Sequence, residues 1–360
     1  MVAALPKIGV VGSGASACAL SCYLADRGYD VHVLMRDRDT LSWLDSTRGR
    51  LRATGRLEGT YALSWFGSDA AALLARADVV IVATTVLAYP EVIEHLASHL
   101  RPRHRLILFS SKLLGAVHVE HLLRRLQAAA VPVVEVDALF ASRLLEDRTV
   151  WIRGIKAWTL FSAAKRSVTA AFAPLIAELF GSLEPADNVV QRGLTDFGAL
   201  AHAPTMIANM NAVSRGESFL FYRDGFTEQT VALLEACEAE FHAVARAFGC
   251  NLVPMATLLD RYYGCDATSV HRAMRSVPNY RHSQAPTTLE HRFLREDVGC
   301  SLVPLSQLAS VAGVPTPTID AVVHLASVLL GDDLRASGRT LERVGWQGLG
   351  PVEIMRSING

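Results

Sequence analysis

KIGVVGSGASACALSCYLADRGYDVHVLMR, residues 7–36, is the stretch whose reading decides the fold. Residues 7–11 are mostly apolar and read as a short buried strand. An Ala-rich run to Arg27 reads as a helix, and residues 30–35 read as a second strand. Gly12-Ser13-Gly14 stand between the first strand and the helix. Gly12 permits the tight turn, and Gly14 lets the backbone approach a pyrophosphate at the positive end of the helix. Ala17 takes the place of a third glycine and is still small enough for the helix to pack on its strand. By itself such a turn occurs in many α/β proteins. Set between strand and helix, with a second strand ending about twenty residues on, it marks a dinucleotide-binding βαβ unit.

The end of the second strand bears on the cofactor. An acidic residue there would bind the ribose 2′-hydroxyl of NAD. By length the position is Met35, followed by Arg36 and, two further on, Arg38. A guanidinium suits a 2′-phosphate, so NADP(H) is favoured over NAD(H). Asp37 is the counter-evidence, because a shift of one residue restores an acidic ligand. The expected cofactor contacts are Gly12, Ser13, Gly14, Ala15, Ser16, Arg36 and Arg38, with Thr84 and Thr85 at the end of a later strand.

A chain of 360 residues suggests two domains. Lys+Arg and Asp+Glu balance at 35 each, so no global field draws in nucleic acid or an anionic membrane. The six cysteines form no CxxC pair and read as reduced core residues. The apolar N-terminus has only Lys7 as a basic flank and is interrupted by glycines, unlike a signal peptide. No run of apolar residues is long enough to predict a membrane span, and the expected compartment is cytoplasmic. No metal site is expected.

Residues 48–66 look like a small β excursion, with Gly49, Gly55 and Gly59 between short runs. Residues 78–83 (DVVIVA), 105–110 (RLILFS) and 132–137 (PVVEVD) read as strands, alternating with helices at 69–77, 90–100 and 118–129. Two further short strands fall at 149–153 and 157–161. This alternation predicts an α/β Rossmann domain with a doubly wound, mostly parallel sheet. Beyond residues 184–188 the periodicity turns helical: 196–213, 227–248, 257–263, 287–297, 303–312 and 316–330. The expected domains are 1–186, binding the dinucleotide, and 187–360, an all-α C-terminal domain for substrate and dimerisation. The active site is expected in the cleft between them.

Two segments carry titratable residues in suggestive places. In TDFGALAHAPTMIANMN (195–211), His202 stands just before Pro204, which must start, kink or break a helix. A histidine near its ordinary pKa suits general acid–base work, though a hydrogen-bonded core histidine reads the same way. In PTTLEHRFLREDVGCSLVPL (286–305), Thr287 and Glu290 suggest a capping box and a helix ending near Gly299. Glu296 and Asp297 would then sit at its negative end, where carboxylates are disfavoured without a partner. Arg292 and Glu296, four apart, equally suit a solvated ion pair.

The stretches FGALAHAPTMIANMN, APTTLEHRFLREDVGCSLVPLSQLASVAGVPTPTIDAV and GRTLERVGWQGLG, with the GSGASA turn, TGRLEG and the ASR at 141–143, resemble the octopine/opine dehydrogenase family over nearly the whole chain. The resemblance implies reductive condensation of an amine with a 2-oxo acid such as pyruvate, through an imine and with NAD(P)H. It implies that His202 is the catalytic histidine, Asp297 its carboxylate partner and Arg292 a substrate-binding cation. Asp297 would orient the imidazole and raise its pKa. Arg143 and Asn209 are further expected substrate contacts, although Arg143 equally suits an ordinary surface arginine and Asn209 a helix–helix hydrogen bond. The chain departs from the family after residues 105–110, where SSKLLGA replaces a Pro-Gly-type loop; Lys112 there could bind a carboxylate or phosphate or point to solvent, and solvent is the favoured expectation. The expected partners are thus small-molecule amine and 2-oxo acid substrates, with a homodimer in view and neither nucleic acid nor membrane. A ketopantoate reductase-like or glycerol-3-phosphate dehydrogenase-like carbonyl reductase would share the architecture but rely on a catalytic lysine. A non-catalytic dinucleotide sensor would need no acid–base pair.

Overall fold

The computed structural model describes residues 5–181 and 183–360. The central sheet grows from β1 (Ile8–Val11) and β2 (Val31–Leu34), joined by a helix over Ala15–Asp26. The excursion folds as β3 (Arg50–Gly55), β4 (Gly59–Ala62) and β5 (Trp65–Gly67). Then come β6 (Val79–Val82), β7 (Arg105–Phe109), β8 (Val133–Val136), β9 (Phe140–Leu144), β10 (Val150–Ile155), β11 (Thr159–Ala163) and β12 (Leu183–Pro185).

Eight strands form the main sheet in the order β12-β11-β8-β7-β6-β1-β2-β5. All its pairings are parallel except β11 with β8. Val, Ile and Leu dominate β1, β6 and β7 because helices cover both faces of the sheet, leaving no solvent side to alternate with. The chain leaves β1 toward β2 and later returns to β6 on the other side. The carboxyl ends of β1 and β6 therefore flank the switch point where open α/β sheets bind ligands. A second sheet, β4-β3-β10-β9, makes up the rest of the β structure.

The helical half follows β12 and has its own core around Phe241, Tyr262, Met274 and Leu308. Pro204 does not break its helix: Phe197–Ala208 runs through it, and the interruption comes at Asn209. The other correction concerns the segment bearing Asp297. No helix starts at Thr287; Arg292–Asp297 begins with His291 as its cap, and Glu290 pairs with Arg295 instead. Nor does it stop near Gly299. A π-helical stretch, Val298–Leu302, carries it into Val303–Ala312. Asp297 is thus inside a continuous helical run, and repulsion by a helix end has no bearing on it.

Buried polar ties join the two halves. Arg192 donates from Nε to Glu135 on β8 at 2.8 Å and from Nη2 to the Ser111 hydroxyl at 2.5 Å. Arg339 donates to the Ser111 and Leu113 carbonyls at 2.8 and 2.7 Å. Among the described residues, no helix is long and apolar enough to cross a membrane.

Candidate active site

One cleft of about 800 Å³ runs from the glycine turn to the helical half. At one end lie Gly12, Ser13, Gly14, Ala15, Ser16, Arg36, Thr84 and Thr85; at the other lie His202, Arg292 and Asp297, with Arg143 also on its wall. These expected residues are brought together. Arg38 and Asn209 are not. Arg38 opens the helix Arg38–Ser46 away from the cleft, and the Asn209 amide is occupied by the Thr205 and Gly225 carbonyls at 2.9 and 3.0 Å.

The glycine turn fits a dinucleotide for reasons visible at two atoms. Gly12 has φ +137°, and a Cβ there would stand 2.6 Å from the Ala83 carbonyl oxygen, so the turn itself requires glycine. A Cβ on Gly14 would meet nothing within 4 Å. Gly14 is the N-cap of the Ala15–Asp26 helix and offers no side chain to its free amides. Space and donors therefore face the cleft together, as an anionic phosphate requires. Met35 is buried, and Asp37 caps the next helix through Asp39 N and Thr40 Oγ1. Arg36 pairs with Glu91 at the cleft edge.

At the other end His202 Nδ1 lies 2.6 Å from Asp297 Oδ2, and Nε2 lies 2.6 Å from the Tyr222 hydroxyl. A carboxylate accepts only, so Nδ1 carries the proton toward Asp297, leaving Nε2 to accept from Tyr222. Phe293 stacks on the imidazole with ring centroids 3.7 Å apart.

Lys112 is where the expectation fails most clearly. It is buried, and its ammonium bridges Asp196 Oδ2 at 2.9 Å and Asp297 Oδ1 at 2.5 Å. Ser110, Lys112 and Leu114 all have positive φ (68°, 63° and 60°). This backbone, disfavoured for non-glycine residues, turns Lys112 inward instead of letting it project to solvent.

The charges decide the protonation states. Burial alone would raise Asp297, but Lys112 and His202 hold it well below the ordinary carboxylate range. Burial likewise opposes the Lys112 charge, and the two carboxylates outweigh it, so its pKa rises. His202 goes down, contrary to expectation. Burial dominates, and Asp297, already shared with Lys112, restores only part. Glu296 is pushed up by burial and faces the cleft. Arg292 is exposed and makes no ion pair among the described residues, so the expected Arg292–Glu296 pair does not form. Tyr222, Phe293 and Asp196 escaped the sequence reading because their roles arise only where distant segments meet.

A glycine turn at a sheet switch point and a buried imidazole–carboxylate pair in one cleft define a nicotinamide dinucleotide-dependent oxidoreductase. Comparisons agree. The family model described as "NAD/NADP octopine/nopaline dehydrogenase, alpha-helical domain" matches residues 185–330. The model described as "NAD-dependent glycerol-3-phosphate dehydrogenase N-terminus" matches residues 7–127. The opine dehydrogenase of Arthrobacter sp. (strain 1C) is 30% identical over 355 residues, spanning 97% of this chain and 98% of that protein. The solved structure of octopine dehydrogenase with NADH and agmatine superposes with a TM-score of 0.79 at 20% identity, covering 99% of both chains. That of yersinopine dehydrogenase with NADP+ bound gives 0.74 at 15% identity, covering 98% and 99%.

The chain belongs to the opine dehydrogenase family. It is an NAD(P)-dependent oxidoreductase acting on CH–NH bonds, which joins an amine to a 2-oxo acid by reductive condensation. The carbonyl-reductase and sensor readings are not favoured.

Proposed function

We propose that His202 is the acid–base residue of this condensation, that Asp297 orients it, and that Arg292 receives the 2-oxo acid carboxylate. The observation that carries this reading is the 2.6 Å contact between His202 Nδ1 and Asp297 across 95 positions of sequence, within the cleft. Asp297 fixes the tautomer, so Nε2 is the atom that exchanges protons with substrate. In the free protein Tyr222 occupies it. Forming the imine requires water to leave a carbinolamine, and protonated Nε2 supplies that proton. Arg292 is exposed in the cleft without a carboxylate partner among the described residues, which leaves its planar fork for a bidentate carboxylate. The bound dinucleotide supplies hydride to the imine carbon.

NADP(H) over NAD(H) belongs to the same reading. Met35 offers no acceptor, Asp37 is occupied as a helix cap, and Arg36 stands at the cleft edge. Pyruvate is the proposed oxo acid, since octopine dehydrogenase has been solved with NADH and pyruvate. A cytoplasmic setting is supported by six free cysteines, of which only Cys265 is not buried. Homodimerisation through the helical half is supported by exposed Leu325 and Val328 on the helix Pro317–Leu330.

The test is an NADPH- and NADH-oxidation screen of amines crossed with 2-oxo acids, with products identified by mass. Turnover should require both substrates together. His202→Ala should lose about a hundredfold or more in turnover while keeping its affinity for NADPH. Reduction of the oxo acid alone, or unchanged turnover in the variant, overturns the reading.

A further inference from the structure

Six acidic side chains of the described residues line the cleft, and five of them are committed. Asp37 caps a helix, Glu91 pairs with Arg36, Asp137 with Lys156, and Asp196 and Asp297 with Lys112. Glu296 is the sixth. It is only 5% exposed, yet its carboxyl makes no hydrogen bond or ion pair among the described residues. A carboxyl so placed is unfavourable until a ligand brings it a proton or a cation.

Its position ties it to the reacting atoms. Glu296 stands one helical turn from Arg292 on the same face, a spacing of about 5–6 Å between Cβ atoms. Arg292 is the proposed receiver of the oxo acid carboxylate, so the adjacent carbonyl carbon, which the amine attacks, lies toward Glu296. The charges around Glu296 come from separate segments: Arg292 and Asp297 on its own helix, Lys112 beyond β7, and Arg339 near the C-terminus. Tyr89 and Cys300 complete these surroundings, and burial keeps both protonated. Burial also pushes the Glu296 carboxyl up, toward the range where it can take and give protons near neutral pH.

The condensation needs more proton transfers than one imidazole nitrogen covers. An amine arrives as an ammonium, without a lone pair to attack, and must first be deprotonated. Later the departing water needs a proton, which His202 Nε2 supplies.

We propose that Glu296 is a second acid–base residue, taking a proton from the substrate ammonium and returning one to the nitrogen of the product. This rests on the reductive-condensation reading above. The ammonium N–H bond breaks, its electron pair stays on nitrogen, and the proton goes to the Glu296 carboxylate. That pair forms the C–N bond to the carbonyl carbon, whose π electrons pass to oxygen. The oxygen takes a proton from the new nitrogen centre. His202 then protonates the hydroxyl as the C–O bond breaks and water leaves. Once hydride has reached the imine carbon, Glu296 returns its proton to nitrogen. Glu296 thus ends as it began, and the one proton consumed along with NADPH enters through His202.

The test compares the unaltered enzyme with Glu296→Gln and Glu296→Asp, using L-phenylalanine, pyruvate and NADPH. Phe197, Tyr263 and Tyr280 on the cleft wall suit an aromatic side chain; the most active amine of the crossed screen replaces L-phenylalanine if it is another. Glutamine keeps the shape and loses the acid. In Glu296→Gln, kcat/KM for the amine should fall about a hundredfold or more near neutral pH. The Kd of NADPH, read by fluorescence titration, should change by less than about twofold. Without its base the variant uses only amine that is already uncharged. Its kcat/KM relative to the unaltered enzyme should therefore rise about tenfold per pH unit toward the ammonium pKa. That ratio cancels the His202 limb, which both proteins share. Glu296→Asp, its acid retracted by one methylene, should lose about tenfold, with a ratio nearly flat in pH.

Undiminished kcat/KM in either variant overturns the proposal. A loss of one size at every pH in Glu296→Gln would make the residue structural and overturn it too. A raised KM for pyruvate alone would reassign Glu296 to the oxo acid, with the same consequence. None of these results touches the His202 reading, which fails separately if His202→Ala keeps its turnover. If no pair in the crossed screen consumes NADPH, the condensation reading falls and takes this proposal with it.

Discussion

At the scale of single residues, Lys112 governs the chemistry of its neighbours. Its ammonium offsets two buried carboxylates, Asp196 and Asp297, and so divides Asp297 between a lysine and a histidine. Lys112→Met would leave both carboxylates buried without that cation, at a cost of about 3–5 kcal/mol of stability. It would also release Asp297 to act on His202 alone. His202 is held below its ordinary value, so the rate limb needing its protonated form falls as pH rises through that lowered pKa. In Lys112→Met the limb should move to higher pH, whereas Lys112→Arg, keeping the charge, should leave it near its original place. A pH–rate profile of kcat/KM reads this directly, and an unmoved limb in the methionine variant would remove Lys112 from control of the imidazole. The stability signs agree with one another. The folded-state pKa values of His202 and Asp297 are both depressed. The unfolded chain therefore binds more protons, and stability present at neutral pH is lost as pH falls through those values.

Among elements, the turn between β1 and the first helix separates what folding needs from what binding needs. Gly12→Ala drives a Cβ to 2.6 Å from the Ala83 carbonyl at a φ of +137°. It should destabilise the protein by several kcal/mol, on the order of other backbone clashes and strained φ values. Gly14→Ala has open space and an ordinary extended backbone, φ −74° and ψ 173°. It should melt within about 1 kcal/mol of the parent and yet bind NADPH about tenfold or more weakly, because the methyl fills the approach to the helix amides. Thermal melting and a fluorescence titration on the two variants check the pair. Undiminished affinity in Gly14→Ala would remove this turn as the phosphate cradle. The β1–helix–β2 unit was legible in sequence because its glycine spacing and alternation are local. The segment of Arg292–Asp297 was misread because its cap, His291, and its continuation through a π-helical stretch carry no strong local signature.

For the whole molecule, the site exists only while the two halves stay docked. Arg192 is completely buried and bonds Glu135 and Ser111 of the sheet half; Lys112 reaches across to Asp196 and Asp297. Arg192→Met strands the Glu135 carboxylate in the interior and should cost about 3–5 kcal/mol. Because the tie lies at the junction, calorimetry should show one cooperative transition shifted downward. Two separated transitions, with the sheet half melting at its original temperature, would contradict the docking described here.

The sequence alone determined the Rossmann sheet and the helical half, and by resemblance it singled out His202, Asp297 and Arg292, which line one cleft. Strand and helix periodicity are properties of neighbouring residues, and the family's blocks survive as contiguous strings. What only the tertiary structure decided was the environment of those groups. It gave Lys112 its inward turn and Tyr222 its place on Nε2, it took Asn209 into a structural hydrogen bond, and it set Glu296 on the cleft wall. It also reversed the expected rise in the His202 pKa. Burial and the sharing of one carboxylate between two cations depend on segments far apart in the chain, and no local pattern records them.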